Sequence, residues 1–309
     1  MMHKIFNFKT IKKAFVVSFS RVFILYLLFA LVHGLFVDAY KMKFKTLHHM
    51  RPNSFDVISK YSSAPKVVPR KKVLEYLNYF KKIEKYTNMD TESFVMIGFC
   101  YHLLNNNKMA EKYFQKSLKL NLSNFWARYN LGALCFQRKD YQKAAESLEK
   151  AITITMKKNI DYLSTSRLYY MFETDPNQFI FLIKNGLKEG YRDSFKMLVF
   201  SYQKLEDYKA MRKLAISAIA FGVGDQDLFY YLAGLASFHM KEYKSAVGLF
   251  AKTLETNPRH AMAYYYSSLC FSRLKNYELA NNFLNKATYL KQSKQDTSSY
   301  SEFVGLRVF

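Results

Sequence analysis

The hydrophobic and polar positions divide the chain into segments of different character. Residues 22–37 are almost continuously apolar, and they follow a basic leader that carries Lys4, Lys9, Lys12, Lys13 and Arg21. Residues 40–69 contain three prolines, a pair of serines and no sustained helical period, which is typical of a linker. From about residue 70 to residue 292, small and large apolar residues recur at a fixed interval. The pattern predicts a membrane-directing helix within 1–39, a linker over 40–69, a helical region over 70–292 and a tail over 293–309.

The apolar run at the N terminus predicts a single-span signal anchor. Its sixteen residues would span about 24 Å as a helix, less than the roughly 30 Å of a hydrocarbon core. The span reaches back to Ala14, and so covers residues 14–37, when Arg21 lies near the headgroups. A cleaved secretory signal is the alternative, because Val37 and Ala39 occupy the positions that a signal peptidase inspects. A buried globular helix is a third interpretation.

The charges around this segment set the expected topology. Five Lys or Arg residues precede the run, and a further four follow it closely: Lys41, Lys43, Lys45 and Arg51. The difference is small, but a first segment with a basic leader is expected to keep its N terminus in the cytoplasm. We therefore expect a single-pass protein of a bacterial inner membrane, with the helical region in the periplasm.

The recurring interval in the helical region is 34 residues, the length of a two-helix unit. Small residues keep this register or three times it, at Gly98, Gly132, Gly234, Ala110, Ala144, Ala246 and Ala280. We expect these positions to lie where the two helices of a unit cross closely, because a larger side chain there would force the helices apart. The region is therefore predicted to be all-α, with two antiparallel helices in each unit.

Two stretches, Trp126-Ala-Arg-Tyr-Asn-Leu-Gly-Ala-Leu-Cys-Phe and Asp140-Tyr-Gln-Lys-Ala-Ala, resemble the tetratricopeptide repeat family. The resemblance implies an α-solenoid of antiparallel helix pairs. Four units match well, over residues 91–124, 125–158, 227–260 and 261–292. The range 159–226 is divergent, with Val199 and Met211 at the glycine and small positions. The step from Tyr141 to Tyr208 is one residue short of two periods, so we expect two divergent units here and a local change in the superhelix.

The family resemblance also implies how the chain binds partners. Stacked units form a superhelix whose inner groove, lined by the first helix of each unit, holds apolar or amphipathic helical segments of other proteins. The matching groove positions in this chain are Val95, Phe99, His102, Trp126, Tyr129, Phe136, Gln137, Leu228, Tyr231, Leu235, Phe238, Met262, Tyr265 and Arg273. The alternative is that these aromatic side chains pack between neighbouring units. The Lys and Asn clamp that some family members use for terminal carboxylates is missing, since Val95, Phe99, Tyr129 and Ala133 occupy its positions.

The composition adds a second class of partner. The formal net charge of +23 suggests a polyanion, yet the basic residues are dispersed and lysine greatly outnumbers arginine, which argues against specific nucleic-acid recognition. Anionic lipid or a cell-wall polymer, bound through the basic linker and the solenoid surface, stays open as an alternative.

The sequence contains no recognisable catalytic motif. It lacks the glycine-rich, HExxH and GxSxG patterns, and its three cysteines are too widely separated for a CxxC metal site. We therefore predict no catalytic residue, no metal and no cofactor. The leading hypothesis is a scaffold or assembly factor of a bacterial envelope complex, of the secretion, cell-wall or flagellar-motor accessory type.

Overall fold

The computed structural model describes residues 69–86, 91–155 and 176–298, together with Lys158 and Asp161. These ranges contain eleven α-helices and no strand. In chain order the helices are α1 Arg70–Tyr86, α2 Thr91–Leu103, α3 Asn107–Leu120, α4 Phe125–Gln137, α5 Tyr141–Ile152, α6 Pro176–Lys204, α7 Tyr208–Ala220, α8 Gln226–His239, α9 Tyr243–Thr256, α10 Ala261–Arg273 and α11 Tyr277–Gln292. The predicted all-α solenoid is confirmed for the described part of the chain.

The predicted membrane segment, 14–37, lies outside the described residues, as do residues 40–68 of the linker and residues 299–309 of the tail. Within the described ranges, none of the helices combines the length and the apolarity that crossing a bilayer requires.

Consecutive helices form a stack of pairs. The pairs are α2–α3, α4–α5, α6–α7, α8–α9 and α10–α11, each of which packs on the next, while α1 packs on α2. Such a stack buries a continuous core although each unit contacts only its neighbours.

The same turn joins the two helices of every pair. A residue with positive φ ends the first helix at Asn105, Lys139, Glu206, Lys241 and Lys275. The backbone N–H of the residue after it donates a hydrogen bond to a carbonyl oxygen in the last turn of that helix, as Asp140 N does to Cys135 O at 2.9 Å. This arrangement satisfies carbonyls that the helix end would otherwise leave unpaired. In four of the pairs the following Asn or Asp caps the second helix, at Asn106, Asp140, Asp207 and Asn276.

Glycine allows the two helices of a pair to cross closely. A Cβ atom on Gly132 would lie 2.6 Å from Leu148 Cγ, and one on Gly98 or Gly234 would lie 2.5 or 2.6 Å from the ring of Phe114 or Phe250. Four alanines on the second helices are also buried: Ala110, Ala144 and Ala246 completely, and Ala280 with 8% of its surface exposed.

The divergent range 159–226 departs from the regular repeat. Its described part holds one helix pair, α6–α7, and α6 packs directly on α5. Two units were expected, and residues 159, 160 and 162–175 lie outside the described residues. Val199 and Met211, at the glycine and small positions, are both fully buried, so side chains fill this crossing.

Candidate protein-binding site

Most of the predicted groove positions lie inside the molecule. Eight side chains are buried: Val95, Phe99, Trp126, Tyr129, Phe136, Leu228, Tyr231 and Leu235. His102, Phe238 and Met262 are half-buried, whereas Gln137, Tyr265 and Arg273 are exposed. Burial at these eight positions agrees with the packing alternative, and partner binding at them stays a prediction. The exposed positions are Gln137 at the C-terminal end of α4 and Tyr265 and Arg273 on α10.

Trp126 illustrates what these buried rings contact. A Cβ atom on Gly190 of α6 would lie 2.7 Å from the Trp126 ring and 2.9 Å from that of Phe125. Tyr191 stacks on Phe125 with 4.6 Å between ring centroids. The aromatic start of α4 therefore forms the surface on which α6 lies, and Gly190 allows the close approach.

A cavity of about 520 Å³ opens beside this junction. It lies between the end of α5, one face of α6 and the turn after α7. Its lining consists of Ile152, Thr153, Ile154, Thr155, Lys188, Tyr191, Phe195, Phe221, Gly222 and Val223. Its volume is within the range of ligand pockets, and a mostly apolar lining with a few polar groups is their usual composition.

The wall from α6 is built from residues on one helical face. Lys188, Tyr191 and Phe195 are spaced by three and four residues, which places them in line along the helix. Phe195 is 4% exposed and Tyr191 is half-buried, so the aromatic part of this wall is held by packing. Lys188, at the other end, is exposed.

The opposite rim depends on a glycine-containing turn. Helix α7 ends at Ala220, Phe221 is its C-cap residue, and Gly222 follows with φ of +63°. Gly222 N donates to Ile219 O at 3.0 Å and Val223 N to Ala218 O at 3.2 Å, the bonding of a helix end with a left-handed glycine. The turn leaves Phe221 75% exposed, with its ring 6.2 Å from that of Phe195. A large aromatic residue is thus presented to solvent at the rim.

The cavity lining is mostly apolar. Among its described lining residues, the ionisable side chains are Lys188 and Tyr191. Cysteine thiols lie elsewhere: burial raises the pKa of Cys100 to about 12 and that of Cys270 to about 11, which holds both as unreactive thiols at neutral pH. No cluster of metal-binding side chains occurs in the described ranges.

Comparison with known proteins identifies the repeat. Residues 104–158 match the tetratricopeptide repeat family model. These residues carry the tetratricopeptide repeat. Among solved structures, it is similar to YrrB, a tetratricopeptide repeat protein with an unusual peptide-binding site, at 21% identity over 70% of this chain and 94% of YrrB, with a TM-score of 0.51. It is also similar to MamA, at 18% identity over 68% of this chain and 97% of MamA, with a TM-score of 0.50. At these identities the likeness shows the fold alone.

Sequence reasoning missed the cavity because its residues lie where the regular 34-residue repeat meets the divergent range. Ile152 is the last residue of α5 and Ile154 follows that helix, whereas Tyr191, Phe195 and Phe221 belong to the divergent range. One signal was present: the step from Tyr141 to Tyr208 breaks the 34-residue register. A break in the repeat indicates a seam, that is, a junction where neighbouring helix pairs do not stack regularly. Periodicity does not indicate which side chains line that junction.

Proposed function

We propose that this chain is a non-enzymatic scaffold that binds a partner protein through the cavity between α5, α6 and α7. The observation that carries the proposal is an apolar cavity of about 520 Å³ with Phe221 three-quarters exposed at its rim. Exposed aromatic residues beside an apolar pocket are the kind of feature that anchors protein interfaces. The similarity in fold to YrrB, which has a peptide-binding site, supports a peptide segment as the bound element.

Phe221→Ser tests this proposal against a matched control, Tyr277→Ser. Both side chains are exposed aromatics, at 75% and 63%, but Tyr277 belongs to α11, far along the stack. We expect crosslinked pull-downs from the native host to lose a specific partner with Phe221→Ser and to retain it with Tyr277→Ser, at equal helicity by circular dichroism. A partner that survives Phe221→Ser, or is lost equally with both variants, contradicts the proposal.

We further propose that the scaffold belongs to a bacterial envelope complex and is anchored in the inner membrane through residues 14–37. The support is the apolar run 22–37 behind a basic leader. Alkaline carbonate extraction of host membranes should leave the full chain in the pellet, whereas a chain without residues 22–37 should be released. Protease added to spheroplasts should cleave residues beyond 38. If carbonate releases the full chain from the membranes, the proposed membrane anchor is wrong.

A polyanion-binding function is the second candidate. The observation that favours it is a set of exposed lysines on the second helices of the units: Lys108, Lys112, Lys143, Lys150, Lys209, Lys213, Lys244, Lys252, Lys286 and Lys291. Binding to vesicles that contain anionic lipid should then fall steeply with salt. Partner binding that persists at about 0.5 M salt, where charges a few ångströms apart are already screened, favours the cavity instead.

A further inference from the structure

One face of α6 changes from aromatic to basic along its length. Lys184, Lys188, Tyr191 and Phe195 follow one another at intervals of four, three and four residues, so they form a single stripe on the helix. Phe195 and Tyr191 line the cavity, Lys188 lies at its edge, and Lys184 lies one turn further on. The stripe is about 16 Å long at 1.5 Å per residue.

The lysines of this stripe differ from the other basic residues of α6. Lys196 pairs with Asp225 at 3.0 Å, and Arg192 approaches Asp193 at 3.5 Å and Asp225 at 3.9 Å. Lys184 and Lys188 are both exposed, and neither forms an ion pair with any described residue. The acidic neighbour Glu189 is half-buried and already takes part in an interaction of its own. Two free positive charges therefore lie beside the apolar cavity.

The ends of two helices determine at which end of the stripe a negative charge is favoured. Helices α5 and α7 both end at the cavity, and the C-terminal end of a helix carries a partial negative charge. A carboxylate is therefore disfavoured at the aromatic end of the stripe and favoured at the lysine end. An uncharged apolar group has the opposite preference.

We infer that the cavity takes a segment of a partner protein that carries a bulky apolar side chain and, about five residues away, carboxylates. The apolar side chain fills the space between Phe195, Phe221 and Val223, while the carboxylates pair with Lys184 and Lys188. The separation follows from the 16 Å stripe, because an extended chain advances about 3.3 Å per residue. This inference rests on the proposed function and adds the charge of the partner to it.

Three synthetic peptides test the inference through fluorescence anisotropy of an attached dye. The first has the sequence Asp-Glu-Asp-Gly-Ser-Leu-Phe-Leu, the second replaces its acids by Asn-Gln-Asn, and the third replaces them by Lys-Arg-Lys. We expect the acidic peptide to bind about three- to tenfold more tightly than the neutral one, the size of effect that two exposed ion pairs supply. The basic peptide should bind most weakly. Each peptide is also tested with its sequence reversed, since the stripe does not determine in which direction the peptide chain binds.

Charge-reversed variants separate the inference from the proposed function. The pair Lys184→Glu and Lys188→Glu should abolish the preference for the acidic peptide, whereas Lys286→Glu and Lys291→Glu on α11, with the same change in net charge, should preserve it. Phe221→Ser should weaken all three peptides. If Phe221→Ser weakens binding but the acidic and neutral peptides bind equally, the inference is wrong and the proposed function stands. If Phe221→Ser has no effect on any peptide, the proposed function fails as well. If both pairs of lysine substitutions reduce the preference for the acidic peptide equally, the inference is wrong, because the preference then reflects the net charge of the protein and not these two lysines.

Discussion

At the scale of single residues, this solenoid depends on positions where no side chain fits. Gly132 is the clearest, because Leu148 already occupies the space that a Cβ atom would need. Gly248 is the contrast, since nothing lies within 4 Å of its position for a Cβ atom. The same residue type is thus required at one helical position and merely tolerated at another.

Gly132→Leu should destabilise the fold by more than about 3 kcal/mol, the upper end of ordinary overpacking costs. Gly248→Leu should instead stabilise it by up to about 1 kcal/mol, because leucine has the higher helix propensity and meets no obstacle. Urea unfolding followed by circular dichroism measures both. Equal effects of the two substitutions would show that the crossing at Gly132 is not tight.

A second residue-scale prediction concerns the turn within each pair. Lys139 has φ of +63°, a conformation that costs a residue with a Cβ atom about 1 kcal/mol relative to glycine. Lys139→Gly should therefore raise the free energy of unfolding by up to about 1 kcal/mol, whereas Lys143→Gly, inside α5, should lower it by a similar amount. Thermal unfolding distinguishes the two signs, and destabilisation by Lys139→Gly would contradict the expectation.

At the scale of elements, the start of α10 differs from the other helix starts because histidine caps it. His260 is fully buried, its Nδ1 accepts a hydrogen bond from Ala263 N at 3.0 Å, and its ring lies 4.6 Å from that of Tyr231. Burial lowers the pKa of His260, although Asp227 and Asp296 act in the opposite direction. The folded chain therefore prefers the neutral ring, which the cap requires.

The stability supplied by this cap should depend on pH. A histidine with a lowered pKa contributes fully above its unfolded value of about 6.5, and the contribution is lost as the pH falls through the folded value. His260→Asn keeps a capping acceptor, as Asn106, Asn124 and Asn276 show at other helices, but does not titrate. Its unfolding free energy should fall less between pH 7 and pH 5 than that of the natural chain. Some slope should persist, because burial also lowers the pKa of His102. If the unfolding free energies of the two proteins depend on pH in the same way, His260 does not contribute to that dependence.

At the scale of the whole molecule, the repeat could be predicted from sequence because small residues mark each helix crossing. Gly98, Gly132 and Gly234 keep one register, and each meets a large side chain of the partner helix. The cavity could not be predicted, since it lies where the end of α5, one face of α6 and the turn after α7 meet, and the 34-residue register does not extend across these elements. The groove assignments were drawn from a regular superhelix, yet Trp126 and Tyr129 are buried where α6 lies against α4.

The junction between α5 and α6 should therefore be the point at which the stack divides. Gly190→Leu would push α6 away from Trp126, which is the single tryptophan of the chain. Because stacked units contact only their neighbours, a weakened seam allows the two sides to unfold separately. We expect Trp126 emission to shift to longer wavelength and its urea transition to separate from that seen by circular dichroism. Gly248→Leu, remote from the seam, should keep the transitions coincident. A coincident transition in Gly190→Leu would mean that the units on either side of α6 unfold as one, and that the seam beside the cavity is as firm as the others.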